Sequence, residues 1–353
     1  MSRKKWIRLP SSKKTRDSSA INEENASKEQ QEENKDEQDK AEETASIKES
    51  AAAAPKKKPK NEPSPKRIAW RRRLKKARKV LCILLVFFAA AAVGLHYYIE
   101  KENETLEVTF YHLQSDEVEA AFRIVQLSDL HLHEFGEKNA ELVDWIKRLN
   151  PDIIAITGDM NNRFNDDTHV VTELCTQLTD ITDVYYVMGN HEWVDYIHRK
   201  TNIKKDLVAT GVVMLENSYI ETEINGNKVV IGGLVNEVSN YEKYTGPQFM
   251  EKFMKADGFK LLLVHYPEYF LGTLNQFRVD LAMCGHTHGG LIRIPHFGGL
   301  YASDQGFLPE LYEGMQTVKG GSVVVVSRGL GNNSKIPRIN NNPEIVVVDV
   351  NWY

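Results

Sequence analysis

The sequence predicts an α/β protein of stacked β-sheets flanked by α-helices, preceded by a disordered tail and one transmembrane helix. Three observations predict this class. The composition changes near residue 79, an apolar run of twenty residues follows at 80–99, and from about residue 104 short apolar segments alternate with helical segments. These boundaries define a charged tail at 1–79, a membrane signal anchor at 80–99 and a folded domain at 104–353.

The tail lacks the composition of a folded domain. Residues 1–79 carry 24 Lys/Arg and 13 Asp/Glu, a net charge of +11, whereas the rest of the chain carries a net charge of −15. Almost no large apolar side chain lies between Ile21 and Ile68, so burial cannot offset the entropy of folding. The tail is predicted to be disordered. Three cysteines exclude a scaffold built on disulfides.

The apolar run at 80–99 predicts a membrane-spanning helix. Twenty residues at about 1.5 Å per residue span about 30 Å, the thickness of the hydrocarbon core of a bilayer. A basic segment at 71–79 precedes the run, so the positive-inside rule predicts a cytoplasmic N-terminus, a single pass through the cell membrane and an extracytoplasmic domain. A leader of this length favours an uncleaved anchor. The basic run 56–79 favours anionic lipid over nucleic acid as its contact.

After residue 104 the pattern is that of an α/β domain. Strands are predicted at 106–113, 122–127, 153–157, 184–187, 229–234, 260–264, 279–283, 322–326 and 345–350, and helices at 141–149, 194–208 and 247–255. Asn225-Gly226 predicts a tight hairpin, because both central residues of such a turn need positive φ. Strands that alternate first with helices and then with hairpins predict stacked sheets.

Short polar blocks follow five of the predicted strands. They are Ser128-Asp129-Leu130-His131, Gly158-Asp159, Gly189-Asn190-His191-Glu192, Val264-His265 and Gly285-His286-Thr287-His288. Ligands of α/β folds converge at the carboxyl ends of strands. The blocks supply carboxylates, imidazoles and one carboxamide but no thiolate, and such a set of N and O ligands suits divalent transition metals in catalytic sites.

This series, D-x-H, G-D, G-N-H-E, H and G-H-x-H in that order, resembles the calcineurin-like metallophosphoesterase superfamily. GHTHGG followed by residues 292–295, with a late strand at 343–345, resembles its membrane-associated bacterial branch, which includes exported phosphodiesterases and hydrolases of lipid-linked sugar pyrophosphates. The resemblance covers about residues 120–350. It implies a metallophosphoesterase-like sandwich that binds two divalent metal ions, with Mn, Fe and Zn left open.

The resemblance also implies a role for each ligand. One ion would be held by Asp129, His131 and His288. The other would be held by Asn190, His265 and His286. Asp159 would bridge the two ions, because two cations about 3.5–4 Å apart need a shared anion. Water between the ions would be available as hydroxide for attack on phosphorus.

Two further residues are candidates for catalysis and substrate binding. His191 has no place among the metal ligands of the pattern and is the candidate to protonate the leaving oxygen or to stabilise the transition state. Arg163 is a candidate to bind a substrate phosphate. Relatives often have Asp where this chain has Asn162, so His191 has here either a neutral partner or another carboxylate, for which Glu192 is a candidate. Leu291 stands where the branch often has Gln, at the predicted rim of the substrate site.

The leading hypothesis is a membrane-anchored binuclear phosphoesterase that hydrolyses a phosphodiester or pyrophosphate bond of a cell-envelope or lipid-linked substrate. One alternative is an interaction scaffold in which the charged tail binds a partner and the phosphoesterase domain is vestigial. Another is an exported nucleotide phosphatase or nuclease. No nucleic-acid partner is expected, since the acidic domain would repel a polyanion unless its cleft were locally basic.

Overall fold

The computed structural model describes residues 64–235 and 246–351. Its first element is a helix of 39 residues, α1 (Pro65–Asn103). By length and composition, α1 is able to cross a membrane. The sequence predicts disorder up to residue 79, whereas residues 65–79 are helical in the structure. Arg, Lys, Leu and Ala are strong helix formers, and Pro is well tolerated at the first helical position. Residues 1–63 of the predicted tail lie outside the described residues.

The chain divides into two units between Ile83 and Leu84. The second unit contains the end of α1 and all of the elements below. Its first sheet has six strands in the order β1-β16-β2-β3-β4-β5. Their bounds are β1 Glu107–Leu113, β2 Phe122–Leu127, β3 Ile153–Ile156, β4 Val184–Tyr186, β5 Val213–Met214 and β16 Glu344–Val350. Strand β16 is parallel to β1 and antiparallel to β2, and the remaining neighbours are parallel.

The second sheet also has six strands, in the order β14-β15-β9-β8-β7-β6. Their bounds are β6 Ser218–Ile224, β7 Asn227–Leu234, β8 Phe259–Val264, β9 Leu281–Cys284, β14 Gly314–Thr317 and β15 Val323–Val326. The predicted hairpin is confirmed: β6 and β7 are joined at Asn225 (φ 50°) and Gly226 (φ 82°). Two small hairpins lie between the fourth and fifth of these strands in sequence, β10 (Arg293–Ile294) with β11 (Gly298–Gly299), and β12 (Tyr301–Ala302) with β13 (Gly306–Phe307).

The two sheets pack face to face between layers of helices. Apolar side chains of both sheets form one buried cluster, in which the rings of Phe122 and Phe259 meet edge to face at 5.7 Å. The outer face of the first sheet carries α2 (Ala140–Leu149), α3 (His169–Thr179), α4 (Asn190–Ile197) and α5 (Ile203–Val208). The outer face of the second carries α6 (Gly246–Phe253). The predicted stacked-sheet class is confirmed.

Two helical assignments differ from the prediction. Helix α3 was not predicted, because its sequence HVVTELCTQLT is rich in β-branched residues of modest helix propensity. Its buried residues Val171, Leu174, Cys175 and Leu178 nevertheless form one stripe at helical spacing. The helix predicted at 194–208 is two helices, α4 and α5, separated by a turn in which Lys200 has φ 56°.

A buried arginine organises the loop that precedes β16. Arg338 is 1% exposed, and its guanidinium donates to the carbonyl oxygens of Arg328 (2.8 Å), Gly331 (3.0 Å), Asn341 (2.8 Å) and Asn342 (3.0 Å). Burial lowers the pKa of Arg338 to about 10, so the group still carries its charge at neutral pH. The side chain of Arg338 thus links residues 328–331 at the start of the loop to residues 341–342 at its end.

The substitution Arg338→Met keeps an unbranched side chain but removes the guanidinium that donates to these buried carbonyls. The free energy of unfolding should fall by about 3 kcal/mol, which lowers the melting temperature by roughly 6–12 °C for a domain of this size. Thermal unfolding of the full chain in detergent measures this effect. Arg148→Met is the control, because Arg148 is exposed and contacts its helical neighbours Asp144 and Trp145; an equal loss in both variants would contradict the assigned role.

Candidate metal centre

The predicted site residues come from both sheets. Asp129 and His131 follow β2, Asp159 follows β3, Asn190 and His191 begin α4 after β4, His265 follows β8, and His286 and His288 follow β9. The carboxyl ends of these strands meet at one edge of the sandwich. The structure therefore brings together residues that are up to 159 positions apart in the sequence.

The loops that carry these residues have an unusual backbone. Positive φ values occur at Asp129 (53°), His131 (50°), Asp159 (53°), His286 (72°) and His288 (48°). Each such conformation costs a non-glycine residue of order 1–3 kcal/mol. Strain of this kind persists where the surrounding structure enforces it, and it concentrates at functional sites.

Two glycines allow the loops to approach one another. Gly158 has φ 90°, and a Cβ placed there would lie 2.2 Å from the backbone nitrogen of Gly189. A Cβ at Gly285 would lie 2.4 Å from Oδ2 of Asp129. No larger residue fits at either position, so glycine is needed directly before the candidate ligands Asp159 and His286.

Three groups of these side chains have ligand atoms close enough to share a cation. The first is Asp129 with His131 and His288, the second is His131 with Asp159 and His191, and the third is Asp159 with His265 and His286. Asp159 and His131 each belong to two groups. The side chains therefore form one continuous cluster, with Asp159 at the junction between its two ends.

Hydrogen bonds at the outer nitrogens of two imidazoles determine which nitrogen faces the cluster. Nδ1 of His265 lies 2.7 Å from the carbonyl oxygen of Thr157, and Nε2 of His286 lies 2.6 Å from Oδ2 of Asp304. A carbonyl or carboxylate oxygen only accepts, so the histidine nitrogen must carry the hydrogen. The inner nitrogen of each neutral ring is then a bare lone pair, as metal coordination requires.

The other two imidazoles have the same arrangement. Nδ1 of His131 lies 3.1 Å from Oδ1 of Asn162, and Nδ1 of His288 lies 3.3 Å from the carbonyl oxygen of Gly331. Their Nε2 atoms lie 3.2 Å apart inside the cluster. Asn162 therefore orients His131, a role that the sequence did not indicate.

His191 differs from these four imidazoles. The backbone N–H of Arg163 donates to its Nδ1 at 2.8 Å, so Nε2 carries the hydrogen in the neutral ring. Burial lowers the pKa of His191 to about 4, which keeps the ring neutral near pH 7. Its Nε2, 3.9 Å from Oδ2 of Asp159, is thus a hydrogen-bond donor within the cluster.

Of the two alternatives for the partner of His191, the structure shows the neutral one, the backbone N–H of Arg163, and Glu192 has other partners. The buried carboxylate of Glu192 accepts backbone N–H groups from Gly189 (3.0 Å), Asp159 (2.9 Å) and Asn161 (2.8 Å). Burial, together with the nearby charge of Asp159, raises the pKa of Glu192 to about 7. Glu192 fixes the two ligand-bearing loops rather than the imidazole beside it in sequence.

The amide of Asn190 faces a set of acceptors. Its inner atom lies 3.2 Å from each of Nε2 of His265, Nδ1 of His286 and Oδ2 of Asp159. With NH₂ inward, the amide would donate to these atoms, and its oxygen would accept from Arg163 Nη2 at 3.1 Å. With oxygen inward, four atoms able to coordinate a metal ion converge, and a cation between them would offset their repulsion. The donor set therefore fits a metal ion.

The charges of the cluster also favour a cation. Asp129 and Asp159 are almost fully buried. Burial alone would lower the pKa of His265, but the carboxylates of Asp159 and Asp129 outweigh it and raise the pKa to about 10. In the metal-free protein, His265 therefore holds a proton that partly offsets the two carboxylates.

The cluster forms the floor of a cavity of about 400 Å³. Arg163 lines its mouth and is exposed, as a side chain that meets a substrate must be. Leu291 lines the cavity as the sequence predicted, and so does Asp304, which the sequence did not single out. Asp304 belongs to no motif block, so only the folded structure reveals its contact with His286.

A sandwich of two mixed sheets with clustered carboxylates and imidazoles at their strand ends has the donor set of a metal-dependent enzyme. Residues 122–290 match the calcineurin-like phosphoesterase family. The uncharacterized metallophosphoesterase YkuE of Bacillus subtilis is 30% identical over 266 residues, which cover 72% of this chain and 88% of that protein. The chain belongs to this family, and the predicted superfamily is confirmed.

Two further relatives extend the comparison. The uncharacterized metallophosphoesterase YkoQ of Bacillus subtilis is 28% identical over 225 residues, which cover 63% of this chain and 81% of that protein. A transmembrane protein with metallophosphoesterase domain from Danio rerio is 25% identical over 206 residues, which cover 51% of this chain and 45% of that protein. The family and the ligand clusters together indicate divalent metal ions as cofactors.

Metal binding should release protons. Because His265 must lose its proton to coordinate, the apparent affinity for Mn²⁺ should rise with pH between 6 and 8, by about tenfold per pH unit for each proton displaced. Calorimetry in buffers of different ionisation enthalpy measures the number of protons released. An affinity that does not change over this range would contradict the assigned protonation of His265.

The substitution Asp304→Asn should weaken metal binding, because the amide is a poorer acceptor for the Nε2–H of His286. Loss of such an outer partner typically lowers metal affinity 10–100-fold. Competition with a chromogenic chelator measures the affinity without reference to activity. Asp166→Asn is the matched control, since Asp166 is an exposed loop carboxylate that pairs with Arg199; equal affinities in the two variants would refute the role of Asp304.

Proposed function

We propose that this protein is a membrane-anchored binuclear phosphoesterase that hydrolyses a phosphodiester or pyrophosphate bond of a cell-envelope or lipid-linked substrate. The observation that carries the proposal is the division among the five imidazoles. Four have one ring nitrogen beside an acceptor oxygen outside the cluster and direct the other nitrogen toward two buried carboxylates, whereas the fifth, His191, presents an N–H. The first kind of nitrogen can coordinate a metal ion, and the N–H of His191 can donate to a substrate beside it.

The proposed ligands divide into two sets that share one carboxylate. One divalent ion would be held by Asp129, His131 and His288. The second would be held by Asn190, His265 and His286. Asp159 would be shared by the two ions, and Mn, Fe and Zn all suit these N and O donors. Bound there, the ions supply an activated water near neutral pH and neutralise charge on the phosphoryl oxygens.

The remaining side chains act on the substrate. His191 donates a hydrogen bond from Nε2 to the oxygen that leaves and stabilises the charge that develops there, because its Nδ1 is occupied by the N–H of Arg163. Arg163 is exposed at the cavity mouth and offers a guanidinium to a substrate phosphate. One short segment thus orients the hydrogen-bond donor through its backbone and binds the substrate through its side chain.

Membrane anchorage is proposed from α1. Residues 80–99 cross the cell membrane, with the N-terminus in the cytoplasm and the catalytic domain outside. The length and composition of α1 support this, and the Danio rerio relative is a transmembrane protein with the same kind of domain. Anionic lipid is the proposed contact of the basic segment 56–79.

The test uses the full chain in detergent, stripped of metal and then supplied with Mn²⁺ or Zn²⁺. Hydrolysis of bis(p-nitrophenyl) phosphate should depend on the metal, exceed that of p-nitrophenyl phosphate, and be lost in Asp159→Asn. Preference for the monoester would overturn the proposed diesterase, and inactivity in a folded, metal-loaded protein would overturn phosphoester hydrolysis.

The role of His191 is tested by the leaving group. His191→Ala should lower the rate for a diester with a poor alkoxide leaving group by about 10²–10³-fold, and for a p-nitrophenolate leaving group much less, since that anion needs little stabilisation. His198→Ala, a change at an exposed histidine seven residues later, is the control and should leave both rates unchanged. Equal losses for the two leaving groups would mean that His191 does not donate to the leaving oxygen.

A further inference from the structure

We propose that the loops around the mouth of the cavity rest on the membrane that holds α1, so that the site takes its phosphoester from the headgroup level of the bilayer. The contact surface is a mouth patch of Ile294, Phe297, Phe307, Leu308 and Ile336. This inference rests on the proposed function, and specifically on the membrane insertion of α1.

The mouth patch is unusually exposed for apolar side chains. Among described residues after α1, the four most exposed large hydrophobic side chains are Phe297 (76%), Phe307 (76%), Phe164 (69%) and Leu308 (64%). Three of these lie in or directly after the hairpins β10–β11 and β12–β13. Backbone bonds join the hairpins, since the N–H of Leu308 donates to the carbonyl of Leu300 (2.9 Å). Soluble monomers rarely expose apolar groups so concentrated without a partner.

The patch borders the metal cavity. Ile336 lines the cavity directly. Tyr301 also lines it, and the ring of Tyr301 packs edge to face on Phe307 with centroids 5.4 Å apart. Whatever covers the patch therefore also lies at the entrance to the site.

A chain of hydrogen bonds connects the patch to the end of α1. Oε2 of the buried Glu102 accepts the backbone N–H of Asn340 at 2.9 Å, and the hydroxyl of Tyr98 lies 3.2 Å from Oδ1 of Asn340. The N–H of Arg293, at the start of β10, donates to the carbonyl of Ile339 at 3.0 Å. The β10–β11 hairpin is thus fixed close to residues 98–102.

This connection identifies the occupant as the bilayer. Residues 98–102 directly follow the apolar segment of α1, so they lie at the membrane surface when that segment spans the hydrocarbon core. Because the β10–β11 hairpin is fixed close to these residues, the patch would lie at the same level, where Phe, Leu and Ile partition into the interface. The exposed Lys335 beside Ile336 suits anionic headgroups. A phosphoester carried by a lipid would meet the cavity without leaving the membrane.

Quenching by lipid tests the contact. In the full chain with Cys82→Ser, the remaining cysteines, Cys175 and Cys284, are buried. Phe297→Cys or Phe307→Cys then carries a single nitrobenzoxadiazole label in phosphatidylcholine–phosphatidylglycerol vesicles. Doxyl lipids with a shallow spin label should quench both positions at least twofold more than the control position.

Val208→Cys is that control, because Val208 is also an exposed apolar residue. It ends α5, next to β5, whereas α1 leads into β1, and β5 and β1 are opposite edges of the first sheet. Five strand spacings separate these edges, roughly 24 Å. Quenching at 297 and 307 no stronger than at 208 would overturn the proposal. Cross-linking of two copies through position 297, without quenching, would likewise overturn it in favour of a dimer.

Activity separates this inference from the proposed function. Phe297→Ser should lower kcat/KM on the order of tenfold for the p-nitrophenyl ester of dioleoyl phosphatidic acid in vesicles. Its rate on bis(p-nitrophenyl) phosphate should not change, and Val208→Ser should change neither rate. Equal effects of Phe297→Ser on the two substrates would refute the contact of the patch with the membrane, and the proposed phosphodiester hydrolysis would be unaffected. A wild-type protein inactive on both substrates would refute the proposed function, and the quenching result would still decide the contact.

Discussion

Asp129 and Asp159 are buried carboxylates at the ends of neighbouring parallel strands, and much of the surrounding structure offsets their charge. Burying a carboxylate without partners is costly. The backbone N–H of His191 donates to Asp159 at 2.8 Å, and the N–H of His286 donates to Asp129 at 3.1 Å. The second of these bonds joins the two sheets, because Asp129 follows β2 and His286 follows β9. The same pair of charges therefore attracts a cation and closes the seam between the sheets.

The cluster depends on a second layer of contacts that holds it in place. Glu192 fixes the loops of Asp159 and Gly189 through their N–H groups. Arg338 binds the carbonyl of Gly331, which in turn accepts from His288. The backbone is strained at five residues of the cluster, which are Asp129, His131, Asp159, His286 and His288. This strain needs such support, because without it the loops would relax to ordinary φ values. Stability and ligand geometry are therefore linked through the same few side chains.

The sequence predicted those parts of the site that lie in contiguous blocks after apolar strands. Asp129, Asp159 and His265 were found because strand ends converge in α/β folds. Asp304 and Asn162 were assigned no such contact, because their partners His286 and His131 are 18 and 31 residues away and no local pattern marks them. Glu192 was one candidate partner of His191 because the two residues are adjacent in sequence, but its side chain turns toward the backbone of the preceding loop. Helix α3 was missed because tertiary burial of its apolar stripe overrides modest local propensity.

The position of β16 has a consequence for how the protein is made. This strand lies between β1 and β2 although more than 200 residues separate it from them in the sequence, and its first residue, Glu344, pairs with Arg328. The first sheet therefore cannot close, and the metal cluster cannot acquire its full support, until β16 has been synthesised. Non-local pairing of this kind slows folding. Folding of the domain and assembly of the metal cluster thus depend on the same strand.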